Sequence, residues 1–168
     1  QAILACRAEV VVVTGARADE VSAALRGLPV RLAHNPFWAL GMGESIARGF
    51  RELLRPPVAP EAALLCLVDQ PMVGAAQLQQ LIERHRALPR HIIVSDHGET
   101  VGPPCLFPAE FYAELTQLSG ALGARGVLQR HRERVETVDM PEAALDIDRP
   151  EDHVRALAEI GAAAVPRA

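Results

Sequence analysis

Ala63-Leu64-Leu65-Cys66-Leu67-Val68-Asp69-Gln70-Pro71 is the stretch whose reading decides the fold. Its six leading residues are all apolar, the length and composition of a strand buried on both faces in a parallel sheet. The run stops at Asp69-Gln70-Pro71, and apolar residues at helical spacing from about Ala75 to Leu88 follow it. A strand that hands over to a helix in this way is half of a β-α-β unit.

Outward from that unit the pattern repeats. Toward the N-terminus, Val10-Val11-Val12-Val13 closes at Thr14-Gly15 and predicts a second buried strand. A helix is expected over 18–27, opened by Asp19 and Glu20 and stopped by Gly27, and a strand over Val30–Ala33. The turn His34-Asn35-Pro36 leads to Gly41 and Gly43, then to a helix with Ile46, Phe50, Leu53 and Leu54 on one face that ends at Pro56-Pro57. Toward the C-terminus, a strand is expected at Ile92–Ser95, a loop over Asp96–Pro104, and a short apolar piece at Cys105–Phe107. Helices near 109–118 and 123–131, a strand near Val135–Asp139 and a helix after Asp148 complete the series. The alternation predicts one domain over residues 1–168, an α/β sandwich with a largely parallel sheet and right-handed crossovers.

Composition narrows the function. The chain has 168 residues, 49% of them apolar, enough for a sizeable core. A net charge of −4 offers no broad cationic face for nucleic acid or an anionic membrane. All 17 basic residues are arginine, so Schiff-base chemistry and a phosphate-loop ammonium are excluded for lysine. Cys6, Cys66 and Cys105 are an odd, widely spaced set and read as core residues rather than a disulfide or zinc ligands. No run of about 20 apolar residues spans a bilayer and no signal-like start is present, so a cytoplasmic protein is expected. The six histidines lack metal spacing, with His97 beside Asp96 the one to watch. No serine sits in a G-x-S-x-G elbow, and Phe37, Trp38, Phe107, Phe111 and Tyr112 are too scattered for a base-stacking platform.

Ligands of open α/β sheets bind beyond the carboxyl ends of the strands. Those ends offer Thr14-Gly15, Asn35, Asp69-Gln70, Ser95-Asp96 and, after the last strand, Asp146-Ile147-Asp148. Asp69 is placed to hold Mg²⁺ with open positions for phosphates; the alternative, a helix cap, falls nearer Met72 or Gly74. Asp148 reads equally as a metal ligand or as the start of a capping box, Asp148-Arg149-Pro150-Glu151. Asp146 lies on the same side of an extended segment, so both carboxylates could face one cation. Gly41-Met42-Gly43-Glu44-Ser45 precedes a helix, where amides meet an anion or a ribose, although such glycine pairs also occur in ordinary loops.

These pieces, in this order, resemble the molybdenum cofactor cytidylyltransferase group of MobA-like nucleotidyltransferases. Val11–Gly15 is similar to the family's second strand and turn. Asn35-Pro36 with Gly41-Met42-Gly43 and Ser45-Ile46 is similar to its Asn, Gly and Ser loop, and Leu67–Pro71 to its Asp-Gln-Pro signature. Gly102–Phe107 resembles the Gly-His-Pro segment, Gly120–Arg125 the Gly-Asp-x-Gly-Ala-Arg segment, and Asp146–Asp152 the closing Asp-Ile-Asp-Thr-Pro-Glu-Asp. The resemblance implies a Rossmann-like three-layer sandwich of the nucleotide-diphospho-sugar transferase type. It implies transfer of a nucleotide, CMP from CTP in this group, to molybdopterin cofactor with release of pyrophosphate. Asp69 and Asp148 would be catalytic and hold Mg²⁺ with Asp146. Gly15, Asn35, Gly41, Met42, Gly43, Ser45, Gln70, Pro71 and Arg125 would line the nucleotide and acceptor sites.

Three departures stand beside it. The family's opening strand and Ala-Ala-Gly loop with Arg and Lys have no counterpart, and Gln1–Cys6 is similar to the helix after that loop, so the sheet is expected to lack a central strand. Pro103 stands at the family His and Ala121 at the family Asp. These departures favour an alternative: a non-catalytic protein that binds molybdenum cofactor or serves a molybdoenzyme. A plain α/β domain whose carboxylates are only caps is the third reading.

Overall fold

The computed structural model describes residues 2–6, 8–55, 59–147 and 149–163, with the side chains of Pro150 and 158–163 left aside. The described elements are α1 (Ala2–Ala5), β1 (Val10–Thr14), α2 (Ala18–Ala24), β2 (Val30–His34), α3 (Met42–Leu53), β3 (Ala62–Leu65), α4 (Ala75–Ala87), β4 (Ile92–Asp96), β5 (Val101–Pro108), α5 (Tyr112–Leu115), α6 (Arg125–Arg130), β6 (Val135–Asp139) and α7 (Pro150–Ala163). Short 3₁₀ turns fill the connections at Trp38–Leu40, Ala109–Phe111, Arg132–Arg134 and Pro141–Ala144.

The strands form a parallel pair β1-β2 and a four-stranded sheet in the order β3-β5-β4-β6. β5 is antiparallel to both its neighbours and β6 is parallel to β4, so β3, β4 and β6 share one direction and β5 alone opposes it. The expected α/β sandwich with mostly co-directional strands is therefore present, with two adjustments. Residues 101–108 form one eight-residue strand where a loop and a short apolar piece were expected, because Gly102-Pro103-Pro104 masks its pattern. The β3 ladder ends at Leu65↔Cys105 instead of running to Val68. The next position along β5 is Pro104, which has no N–H to continue the ladder.

Alternation along the central strands creates two cores. Ile92, Val94, Cys105 and Phe107 face one side with Ile46 and Phe50 of α3 and with Phe111, Tyr112, Leu115 and Val127. Ile93 and Leu106 face the other side with Leu81 of α4, Met140 and Ala143. Helices on both faces make the three-layer arrangement. Phe50 meets Phe107 edge to face, 6.3 Å between centroids, a favoured aromatic geometry. α3 also carries β1: a Cβ on Gly49 would lie 2.9 Å from Val13 Cγ2, so glycine permits that approach. The four valines of β1 are half-buried rather than enclosed as expected, because β1 pairs with β2 alone among the described residues.

Of the cysteines, expected in the core, Cys105 alone is fully buried, while Cys6 and Cys66 are half-buried. Burial raises the Cys66 thiol to about 12 and pushes Cys105 higher still. At mildly alkaline pH both should therefore resist iodoacetamide in the native protein and react once it is unfolded, since the thiolate is the nucleophile. Peptide mass mapping of the two samples checks this. Among the described residues no helix is long and apolar enough to cross a membrane.

Candidate active site at the strand ends

Parallel directions bring the ends of β3, β4 and β6 and the start of β5 to one edge of the sheet. The chain leaving β3 passes through Asp69, half-buried and with Oδ1 shielded from solvent. Its backbone carbonyl accepts the Ile147 N–H at 2.8 Å. That bond seats the segment carrying Asp146 against Asp69, joining the two acidic motifs. Asp146 itself is exposed, and Asp148 lies outside the described residues. Oxygen ligands of this kind fit a hard divalent cation. Among the described residues no group of three His, Cys, Asp or Glu side chains is gathered closely enough to form a complete cage.

Asp69 is not the cap of α4. That helix begins after Gly74, whose N–H donates to the Gln77 side chain at 3.1 Å. At α7 the side chain that reaches back is Asp152, accepting the Arg149 N–H at 3.0 Å, while Glu151 is exposed. The reach-back bond thus falls one residue beyond the expected Asp148–Glu151 spacing.

Gln70 is buried, and its amide Nε2 donates to two carbonyls, Pro103 at 3.0 Å and Ala143 at 2.9 Å. It ties the loop after β3 to β5 and to the turn before Asp146. His97 Nε2 donates to the same Pro103 carbonyl at 3.1 Å; a carbonyl only accepts, so Nε2 carries the ring proton. Replacing Gln70 with Leu strands the buried Ala143 carbonyl and leaves Pro103 O with His97 alone, and should cost about 2 kcal/mol. A lower urea midpoint with an unchanged slope is the expected result. Pro71 beside it is exposed.

The second cluster lies beyond β1 and β2. Asn35 is buried; its Nδ2 donates to Ser45 Oγ at 3.0 Å and its Oδ1 accepts the Phe37 N–H at 3.0 Å. Its own N–H donates to the Thr14 carbonyl. Asn35 and Ser45, separate in sequence, therefore meet at the mouth of α3. The glycines there have a packing cause. Gly43 N–H donates to the Gly120 carbonyl at 2.8 Å, and a Cβ on Gly43 would lie 2.6 Å from Ser119 carbonyl atoms. Gly41, at φ +125°, would place its Cβ 2.5 Å from the Gly120 carbonyl. The Gly41–Ser45 loop and the Gly120–Arg125 segment thus form one unit, with Met42 half-exposed and Arg125 exposed at the start of α6. The Gly43 amide, the natural donor to an anion, is occupied by this contact. Gly15 packs under Trp38, whose Cβ would be 2.9 Å from a Cβ added there.

Sequence reading missed the Pro103 carbonyl as a hub, since a backbone acceptor leaves no residue-type signal. It also set Trp38 aside with the scattered aromatics, although Gly15 is its packing partner.

The pattern of a MobA-like NTP transferase domain matches residues 1–135. The chain belongs to that family. A nucleotidyl transferase from Methanothermobacter has the same fold at 24% identity, with a TM-score of 0.78 over 96% of this chain and 78% of that one. The manganese complex of Rv0371C from Mycobacterium tuberculosis is similar at 24% identity, TM-score 0.71, over 94% of this chain and 83% of that one. A molybdopterin-guanine dinucleotide biosynthesis protein A from Archaeoglobus fulgidus is more distant, 14% identical with a TM-score of 0.59, covering 89% and 78%. No curated protein matches the chain. This MobA-like domain is thus of nucleotidyltransferase type, and family membership implies a nucleoside triphosphate as substrate.

Proposed function

We propose that this MobA-like domain transfers a nucleotidyl group from a nucleoside triphosphate, CTP in the first instance, to a molybdopterin-type acceptor. A phosphate oxygen of the acceptor attacks the α-phosphorus, the bond to the β-phosphate oxygen breaks, and pyrophosphate leaves. The observation that carries this reading is the Ile147 N–H to Asp69 carbonyl bond, which brings two distant acidic motifs to one strand end. Asp69 and Asp146, with Asp148 by its family position, would hold Mg²⁺. When bound, the cation neutralises charge on the phosphates. The chain's residues position the reactants: Gly15, Asn35, Gly41–Gly43 and Ser45 shape the nucleotide wall, Gln70 fixes the strand-end loop, and Pro71 and Arg125 border the cleft.

Pro103 and Ala121 favour a second reading, a non-catalytic carrier of the cofactor that delivers it to a molybdoenzyme. Pyrophosphate release from CTP and GTP, measured with molybdopterin cofactor and either Mg²⁺ or EDTA, separates the two. Metal-dependent release with CTP above GTP is the expected result. Tight retention of the cofactor without release overturns the catalytic reading in favour of the carrier.

A further inference from the structure

We propose that His97 is a positioning residue of the strand-end site: through the Pro103 carbonyl it closes a ring of hydrogen bonds that holds the Asp69 and Asp146 segments at the spacing a divalent cation needs. The inference rests on the metal-holding role proposed above for those carboxylates, and its test separates the two.

The ring begins at an irregularity in the sheet. Between β4 and β5 the register passes from Val94↔Cys105 to Ser95↔Gly102, so Pro103 and Pro104 have no ladder partner on β4. Bulges of this kind bend a strand and re-aim its groups. The two freed carbonyls turn to side chains. Ser95 Oγ donates to Pro104 O at 2.8 Å, while His97 Nε2 and Gln70 Nε2 donate to Pro103 O at 3.1 and 3.0 Å. Gln70 Nε2 also donates to Ala143 O at 2.9 Å. The Ala143 N–H donates to Met140 O at 3.0 Å and the Met140 N–H to Asp96 O at 2.8 Å. Asp96 is joined to His97 through the chain, and the ring is closed. It takes in the end of β4, the start of β5 and the segments leaving β3 and β6, so all four strands of the sheet are tied at one edge.

Both acidic segments hang from this ring. Asp69 directly precedes Gln70, and Asp146 lies three residues beyond Ala143, with the Ile147 N–H on Asp69 O as a second tie. Carboxylates brought toward one place repel each other until a cation arrives. The ring opposes that repulsion with neutral donors and carbonyls, and segments held in place beforehand lower the ordering cost of binding. His97 removes the last freedom in it. A carbonyl oxygen has two lone pairs. With His97 on one and Gln70 on the other, the direction of the Pro103 carbonyl is set, and with it the Gln70 amide. His97 is itself held: its N–H donates to Thr100 O at 2.9 Å, and its ring lies over Gly102, whose Cβ position is 3.6 Å from Cε1. The side chain is half-buried, so a substitution opens the ring without emptying either core.

Mn²⁺ binding to the whole chain without nucleotide, read by electron paramagnetic resonance of the free ion, tests this. His97→Phe keeps a flat ring over Gly102 and removes the donor; it should weaken Mn²⁺ about tenfold, the scale of losing a hydrogen bond that supports a metal site. His97→Gln offers an amide N–H near the place of Nε2 and should stay within about twofold of the wild type. A lower urea midpoint for His97→Phe with Mn²⁺ affinity unchanged would make the bond merely structural and overturn the proposal. Equal losses in His97→Gln and His97→Phe would overturn it as well, since the hydrogen bond would then not be what matters. A wild type that binds no Mn²⁺ overturns the metal reading itself, and the role of His97 with it. Where His97→Phe does not fold, the nitrogen-labelled wild type decides by nuclear magnetic resonance. Mg²⁺ should shift the His97 ring and Gln70 amide signals with one half-saturation point, and signals that stay fixed overturn the proposal.

Discussion

Asp69→Asn should lower metal-dependent pyrophosphate release by on the order of 10²–10³, the scale of removing one preorganised electrostatic contact. The folded structure should survive, because Asp69 binds the closing segment through its backbone carbonyl, which asparagine retains. Far-UV circular dichroism and the urea midpoint should therefore match the wild type while turnover collapses. The amide is neutral and nearly the size of the carboxylate, so the charge offered to a cation is lost with little change in volume. A titration with Mg²⁺ should show the half-saturating concentration rising, and excess metal should recover part of the rate. Equal turnover by Asp69→Asn and wild type would remove Asp69 from the metal site.

Gly43→Ala should be strongly destabilising. The new Cβ would lie 2.6 Å from both the carbonyl carbon and oxygen of Ser119 and 2.9 Å from Gly120 O. Neither neighbour is a flexible side chain, so one of the two loops must move. Movement breaks the Gly43 N–H to Gly120 O bond and withdraws Gly123, whose would-be Cβ lies 3.4 Å from Ile46 Cδ1 at the edge of the larger core. We expect a loss of about 3 kcal/mol, the scale of enforced backbone strain plus a lost buried hydrogen bond. For a chain of this size that is a fall of roughly 10 °C in Tm, read by calorimetry. Gly120→Ala gives the contrast. No atom lies within 4 Å of its Cβ position, so only its φ of +69° opposes the change and a smaller fall is expected.

Much of the architecture was legible because it is written in periodicity. The strand at Ile92–Ser95 and the α4 stretch needed only a short apolar run and helical spacing, whereas the apolar run before Asp69 read as strand to Val68 and the ladder stops at Leu65. β5 was harder, because Gly102, Pro103 and Pro104 are residues that normally interrupt strands, and its pairing with β3 and β4 is visible only in three dimensions. At the candidate site, residue types pointed to Asp69, Asp146 and the Asn35–Ser45 loop. Sequence alone held no sign that Ile147 would bond to Asp69, or that the glycine pair answers to Gly120. Both depend on partners distant in the chain, and one partner in each is a carbonyl common to every residue.

The position of β5 also bears on how the molecule comes together. β3 is made before α4 and β4, yet its ladder partner among the described residues is β5, which follows them. During synthesis that pairing must wait until the β4–β5 hairpin has closed and can receive β3. Such long-range pairing is slow because the loop entropy is lost before the contacts form. The loop holding Asp69 follows directly from β3, so this candidate site should be among the last regions to acquire its native shape. A nascent chain halted before Val101 would carry Asp69 without the β5 edge against which its strand is seated.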